Sequence, residues 1–112
     1  MQVNAQTDAK VFNSIISCFQ KNDSQQLSNK FANNIDLTVS EADGTYSKQQ
    51  ASIIIKSFFE DHKTTSFKIK HKGASNERTH YAVGDLISGK KKWSVYILLD
   101  KESKIIQLQI ED

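Results

Sequence analysis

The fold is decided by residues 44–63, which read GTYSKQQASIIIKSFFEDHK. Apolar side chains recur in this stretch at helical spacing, and they are Ala51, Ile54, Ile55, Phe58 and Phe59, followed by His62. Ser47 and Gln50 have the spacing of a capping box, in which hydroxyl and amide each bind a backbone N–H that the first turn leaves unpaired. The pattern predicts one long amphipathic helix that begins at Ser47 and covers the strands after it.

Length and composition indicate one domain without a metal or cofactor. The chain has 112 residues and a formal net charge of +2, a charge too small to argue for a nucleic-acid partner. Cys18 is the single cysteine, so no intrachain disulfide can form, and no Cys/His grouping has zinc-ligand spacing. No apolar run approaches the roughly 20 residues that span a bilayer. We expect Cys18 to be a small filler of the core.

Residues 1–7 are interpreted apart from the domain at 8–112. Met1–Gln6 carry no charge and no helical period, and Ala5 is followed by polar residues. This pattern is typical of the tail of a secretory signal region whose apolar part is not in the sequence, and equally of a frayed N-terminus. Both readings make residues 1–7 a disordered remnant, and the first predicts export.

Two helices are predicted before the first strand. Apolar residues of one stripe define the first helix, and they are Val11, Phe12, Ile15, Ile16 and Phe19. Asp23 and Gln26 repeat the capping spacing and begin a second, short helix. We expect this helix to bury Leu27 and Phe31 and to end at Asn33-Asn34.

Strands alternate with a period of two in the rest of the chain. A short strand is predicted over residues 35–39, with a turn at 41–44 and a short return strand at Thr45-Tyr46. After His62 the alternation predicts four more strands, which we expect to form an antiparallel meander. Gly84 interrupts the alternation of Tyr81 and Val83, which indicates a bulge or bend that curves the sheet.

The predicted order is α-α-β-(β)-α-β-β-β-β, an α+β fold with helices on one face of a curved antiparallel sheet. This order resembles the nuclear transport factor 2-like, or cystatin-like, α+β cone. The residues that carry the resemblance are Gly44-Thr45-Tyr46-Ser47, Phe58-Phe59, Tyr81-Ala82-Val83-Gly84 and Ile106-Gln107-Leu108-Gln109-Ile110-Glu111. More narrowly, the chain is similar to a small family of secreted bacterial proteins of unknown function with that cone.

The resemblance implies a conical cavity between the long helix and the sheet, dimerisation through the outer sheet face, and export. Candidates for lining the cavity are Tyr46, Phe58, Phe59, His71, Tyr81, Asp85 and Trp93. His71 shares a predicted face with Phe67 and Ile69, whereas Asp85 faces inward only if the strand is regular through Gly84 and Val83 points inward.

The predicted outer face of the sheet is the candidate dimer surface. Tyr96 and Leu98 alternate with Val95, Ile97 and Leu99, and Ala82 would leave flat room beside them. Large apolar side chains on the side away from the helices are unusual on a monomer. Six lysines at 68, 70, 72 and 90–92 could attract anions, but solvated, edge-protecting charge explains them as well.

Two classes of function follow. The first is a non-catalytic exported domain whose cavity or outer sheet face binds a small apolar ligand or a protein partner, with a homodimer as the expected assembly. The alternative is a small isomerase or dehydratase that uses His71 with Asp85 or Tyr81, because enzymes of this cone place such groups in the cavity for proton transfer. We favour the first class, since the sequence carries no catalytic signature.

Overall fold

The structure, a computed structural model, describes residues 5–76 and 78–112, with side chains from residue 9 onward. Its elements follow the predicted order, and they are α1 (Ala5–Gln20), α2 (Ser24–Ser28), β1 (Phe31–Val39), β2 (Ala42–Ser47), α3 (Lys48–Asp61), β3 (Ser66–Ala74), β4 (His80–Ser88), β5 (Lys91–Leu99) and β6 (Ile105–Glu111). The α+β class is confirmed, with helices packed on one six-stranded, unclosed sheet.

The sheet has the order β2-β1-β6-β5-β4-β3. Strands β3 to β6 form the predicted antiparallel meander, and β1 with β2 forms an antiparallel hairpin. β1 lies parallel to β6 and joins the two units into one sheet. The parallel pairing follows from the chain path, because α3 carries the chain across the sheet between the hairpin and the meander.

Helix α3 begins as predicted. The Gln50 backbone N–H donates to Ser47 Oγ at 3.1 Å, and the Ser47 N–H donates to Gln50 Oε1 at 3.2 Å. Both halves of the capping box are therefore present. Asp23 caps α2 through its side chain, with Oδ1 accepting from the Gln26 N–H at 3.0 Å.

Three predicted boundaries differ from the structure. The turn predicted at 41–44 lies at Ser40-Glu41, so β2 spans Ala42–Ser47 rather than Thr45-Tyr46 alone. The described part of α1 already starts at Ala5, within the residues 1–7 interpreted as a disordered remnant; Met1–Asn4 lie outside the described residues. The second helix ends at Ser28, and Phe31 opens β1 instead of closing α2. Tertiary pairing decides this boundary, since the Ile105 N–H donates to the Lys30 carbonyl and Phe31 pairs with Ile105.

The core lies between the helices and one face of the sheet, which we call the inner face. Phe19 of α1 stacks on Phe67 of β3 with ring centroids 4.5 Å apart, and meets Phe59 of α3 edge-on at 5.6 Å. Cys18 is buried beside this cluster, as predicted, and burial raises the pKa of its thiol. A raised thiol pKa keeps Cys18 protonated at neutral pH, which suits a core filler.

A bulge in β3 lies opposite Gly84. The register shifts between Ile69 and His71, so Lys70 is the extra residue. A Cβ on Gly84 would lie 2.5 Å from the Lys68 carbonyl oxygen, a distance that real side chains do not reach. The irregularity predicted at Gly84 thus belongs to β3, and glycine is what allows the two backbones to approach.

Gly84→Ala and Gly44→Ala form a matched pair of variants that tests the close approach of the β3 and β4 backbones. We expect Gly84→Ala to lower the free energy of unfolding by about 1–3 kcal/mol, because the bulge must shift to admit a methyl group. Gly44→Ala should change it by less than about 0.5 kcal/mol, since its Cβ would meet only the Tyr46 ring at 3.8 Å. Urea unfolding measures both, and equal losses would show that the backbones are not in close contact at Gly84.

Candidate functional site

The sheet face away from the helices, which we call the outer face, carries four large side chains in two adjacent pairs. Tyr81 is paired with Leu98, and Val83 with Tyr96. Their sequence neighbours along β4 and β5 belong to the core, among them Ala82 and Ile97, so alternation turns these four outward. All four are half-buried, packed by one another and still accessible. We call Tyr81, Val83, Tyr96 and Leu98 the outer patch.

Tyr81 makes several close contacts on one side of the outer patch. Tyr81 and Tyr96 stack with centroids 6.1 Å apart and an interplanar angle of 22°. Tyr81 Oη also lies 2.9 Å from His71 Nε2, in a hydrogen bond on the surface. A Cβ on Gly73 would lie 2.8 Å from the Tyr81 ring, so the ring covers Gly73 on the edge strand. This is the arrangement in which an aromatic side chain protects an edge glycine.

The inward facing predicted for His71 and Tyr81 was wrong, and Asp85, whose facing the sequence left open, also faces outward. The bulge at Lys70 shifts His71 by one position, which pairs it with Val83 on the outer face. β4 itself is regular through Gly84, so Tyr81 and Asp85 share the outer face with Val83. These three residues therefore lie outside the space between helix and sheet.

Ala82 was predicted on the outer face and lies on the inner one. It pairs with Ile97 and is 0% exposed. The reason is the regular pairing of β4 with β5, which puts directly opposed residues on the same face of the sheet. Because Ile97 belongs to the core, Ala82 opposite it faces inward as well. Tyr96 and Leu98, the other two candidates for the dimer face, lie on the outer face as predicted.

The inner candidates fill the space where a cavity was predicted. Phe58 meets Trp93 edge-on with centroids 5.1 Å apart, and His62 meets the same indole at 5.0 Å. Phe59 is 3% exposed, and Tyr46 packs against the core from β2. Tyr46, Phe58, Phe59 and Trp93 are therefore on the side of the sheet predicted for them, in contact with other side chains.

Charged residues surround the outer patch on the β3 side. Asp85 Oδ2 lies 3.5 Å from both Lys70 Nζ and Lys92 Nζ. Lys91 is paired elsewhere, with Asp112 at 2.9 Å, and its ammonium lies 4.3 Å from the Trp93 ring centroid. The hydrogen bond from Lys91 lowers the pKa of the Asp112 carboxyl. Three of the six lysines thus have carboxylate partners, which supports the solvated-edge interpretation over a free anion site.

Of the two pairs named for the enzyme alternative, the structure brings His71 and Tyr81 together on the outer face but does not bring His71 to Asp85. His71 bonds Tyr81 on the outer face, whereas Asp85 pairs with lysines two register positions away. Within residues 5–76 and 78–112 there is no group of three or more His, Cys, Asp or Glu side chains that could hold a metal ion. No helix of the described chain is long and apolar enough to cross a membrane.

Comparison with known proteins identifies the family. A model described as a domain of unknown function, DUF4783, matches residues 12–111. This chain belongs to the DUF4783 family. A search of curated proteins finds no match.

Solved structures of DUF4783 proteins have the same fold. One from Bacteroides uniformis is 22% identical, with 89% of this chain and 94% of that one covered and a TM-score of 0.82. One from Bacteroides ovatus is also 22% identical, with coverage of 97% and 94% and a TM-score of 0.78. An uncharacterized cystatin-fold protein from Novosphingobium aromaticivorans, 9% identical, covers 94% and 97% with a TM-score of 0.70. The predicted resemblance to the cystatin-like cone of an unknown-function family is confirmed.

Trp93 offers a test of the packed interior of this DUF4783 domain. Its indole Nε1 is buried and has no hydrogen-bond acceptor among the described residues. Trp93→Phe removes that unpaired donor, whose burial costs about 1–3 kcal/mol, and this gain offsets the smaller ring. We expect a loss of unfolding free energy below about 1 kcal/mol, against about 3–5 kcal/mol for Phe58→Ala.

Thermal and urea unfolding of the two variants make the comparison. A loss for Trp93→Phe as large as that for Phe58→Ala would show that Nε1 makes a strong hydrogen bond in the folded chain.

Proposed function

We propose that this chain is a non-catalytic, exported binding domain that acts as a homodimer joined through the outer sheet face. The observation that carries the proposal is the outer patch, in which Tyr81, Val83, Tyr96 and Leu98 lie side by side on the face that the helices leave uncovered. Tyrosine is enriched in protein interfaces because it combines a large apolar ring with a hydroxyl.

The size of the face suits a second copy of the chain. Six strands about 4.8 Å apart, each roughly six to nine residues long, give a face of roughly 600–700 Å². Stable interfaces bury about 800 Å² per partner, and the smallest specific ones somewhat less. A sheet face of this size is therefore large enough for a dimer when most of it is used.

The charges of the face are complementary under two-fold symmetry. Lys68 and Lys70 lie on β3 at one edge of the outer face and Lys92 at the start of β5, whereas Asp36 and Asp43 lie on β1 and β2 at the other edge. A two-fold axis parallel to the strands over the middle of the sheet places the lysine side of each copy against the acid side of the other. The charges therefore favour association of the outer face of one copy with the outer face of a second copy.

The interior is a weaker candidate for ligand binding. A small apolar molecule between α3 and the sheet would have to separate Phe58 from Trp93, whose rings are in contact at 5.1 Å between centroids. Breaking such packing costs several kcal/mol, whereas the outer patch is accessible without rearrangement. We therefore place the binding function on the outer face.

Sedimentation equilibrium tests the homodimer with one disruptive and one control variant. We expect the unchanged chain to sediment as a dimer at high micromolar concentration, and Leu98→Arg to sediment as a monomer because it places unpaired charge in the centre of the patch. Ile53→Arg changes an exposed isoleucine on α3 and should remain a dimer. A monomeric unchanged chain at that concentration, or a dimeric Leu98→Arg, would refute the dimer.

Export rests on the N-terminal sequence and the family resemblance. Osmotic shock of cells that produce the protein from its natural gene should release it with periplasmic markers, or it should appear in the medium. Retention with a cytoplasmic marker enzyme would refute export without affecting the dimer.

A further inference from the structure

One edge of the sheet has backbone groups available for pairing. β2 is an edge strand, joined to β1 by the two-residue turn Ser40-Glu41. In such a hairpin the residues that flank the turn form a hydrogen-bonded pair, so alternate β2 residues direct their N–H and C=O groups away from β1. Asp43, Thr45 and Ser47 belong to that outward set. Consistently, the Ser47 N–H donates to Gln50 Oε1 instead of to β1.

The opposite edge of the sheet, strand β3, is protected against pairing with a strand from another chain, whereas the β2 edge is not. β3 carries Lys68, Lys70 and Lys72 and is interrupted by the bulge at Lys70, and both features discourage a further strand from pairing. β2 has no lysine, no proline and no register shift. The free groups of Asp43 and Thr45 are therefore accessible to a strand from another chain.

A shallow apolar groove lies beside this edge. α3 starts directly after β2 and runs back along it, and between the two is a depression of about 360 Å³. Its apolar lining residues are Val39, Ala42, Ile53, Ile54 and Phe58. Among the residues with described side chains, Ile53 is the one large hydrophobic residue that is exposed, at 66%. An edge strand next to a helix-lined apolar groove is the geometry in which β-augmentation reads alternate side chains of a peptide.

The acidic side chains that line the groove favour one kind of partner. Glu41 and Asp61 line it, and among the described residues no lysine or arginine does, although the chain as a whole has a net charge of +2. A second copy that presented its own β2 edge would bring Asp43 and Glu41 against these acids, and like charges disfavour that pairing. The acids favour a partner segment that carries lysine or arginine next to its apolar residues.

We propose that the edge of β2 and the groove beside α3 bind an extended, basic segment of another protein, which adds to the sheet as a seventh strand. Backbone groups of the segment pair with Asp43 and Thr45, and one apolar side chain enters the groove against Ile53. A neighbouring lysine or arginine pairs with Glu41 or Asp61. This surface is separate from the outer patch and goes beyond the proposed dimer.

Selection from random ten-residue peptides displayed on phage, with the full chain as target, provides the probe. We expect the enriched peptides to alternate apolar residues with lysine or arginine. The best peptide, synthesised with a fluorophore, is then titrated by anisotropy against the unchanged chain and three variants. Ile53→Ser should weaken binding about 10-fold or more, as expected for losing a buried isoleucine contact, and Asp61→Asn should weaken it severalfold.

Glu60→Gln is the matched control, because Glu60 precedes Asp61 on α3 but lines a different depression, with Lys21 and Lys63. It should change affinity less than twofold. N-methylation of alternate peptide amides separates the two backbone sets, and only methylation of the set that pairs with β2 should abolish binding. Hydrogen exchange at the Asp43 and Thr45 amides should slow in the complex.

Three results would overturn the proposal. They are a selection that enriches no peptide or only acidic ones, full affinity of the selected peptide for a folded Ile53→Ser, and equal effects of the two N-methylation patterns. The variant Leu98→Arg distinguishes peptide binding at the β2 edge from binding at the outer patch. We expect its affinity for the peptide to equal that of the unchanged chain. Loss of binding in this variant would assign the peptide to the outer patch instead.

Discussion

The close approach of β3 to β4 at Gly84 determines which side chains reach each face of the sheet. Because glycine has no Cβ, the Lys68 carbonyl can lie where a side chain would begin, and β3 accommodates Lys70 as an extra residue. The bulge moves His71 from the inner to the outer register and bends the sheet around the helices. The His71–Tyr81 hydrogen bond exists only because of this shift.

The features predicted correctly from the sequence are those that a single local pattern determines. The capping box at Ser47 and Gln50 located the start of α3, and the alternation of Trp93, Val95, Ile97 and Leu99 located β5 and its inner face. Both signals are local, so no tertiary contact needed to be known. The boundary between α2 and β1 was missed because pairing of Phe31 with Ile105 decides it, and these residues are far apart in the chain.

The candidate site was predicted less well than the fold, because the facing of β4 depends on its neighbour in the sheet. Along β4, hydrophobicity favours an inner face with Tyr81 and Val83, yet Ala82 and Gly84 take that face. Their partners on β5, Ile97 and Val95, lie in the core, and a reading of β4 alone does not include that pairing. The pattern of Tyr96 and Leu98 on β5 was free of this conflict, and half of the outer patch could be identified from it.

The consequence for function is a division between the two sides of the molecule. The aromatic side chains on the inner face pack against one another, so their size contributes stability, whereas the aromatic side chains on the outer face remain half accessible and can contribute to binding. His71 and Asp85 are on the accessible side, where His71 bonds Tyr81 and Asp85 pairs with Lys70 and Lys92. The groove between β2 and α3 lies at the β2 edge, on the inner side of the sheet. A strand added there would extend the sheet without covering the outer patch, so association through the face and pairing at the edge are geometrically compatible.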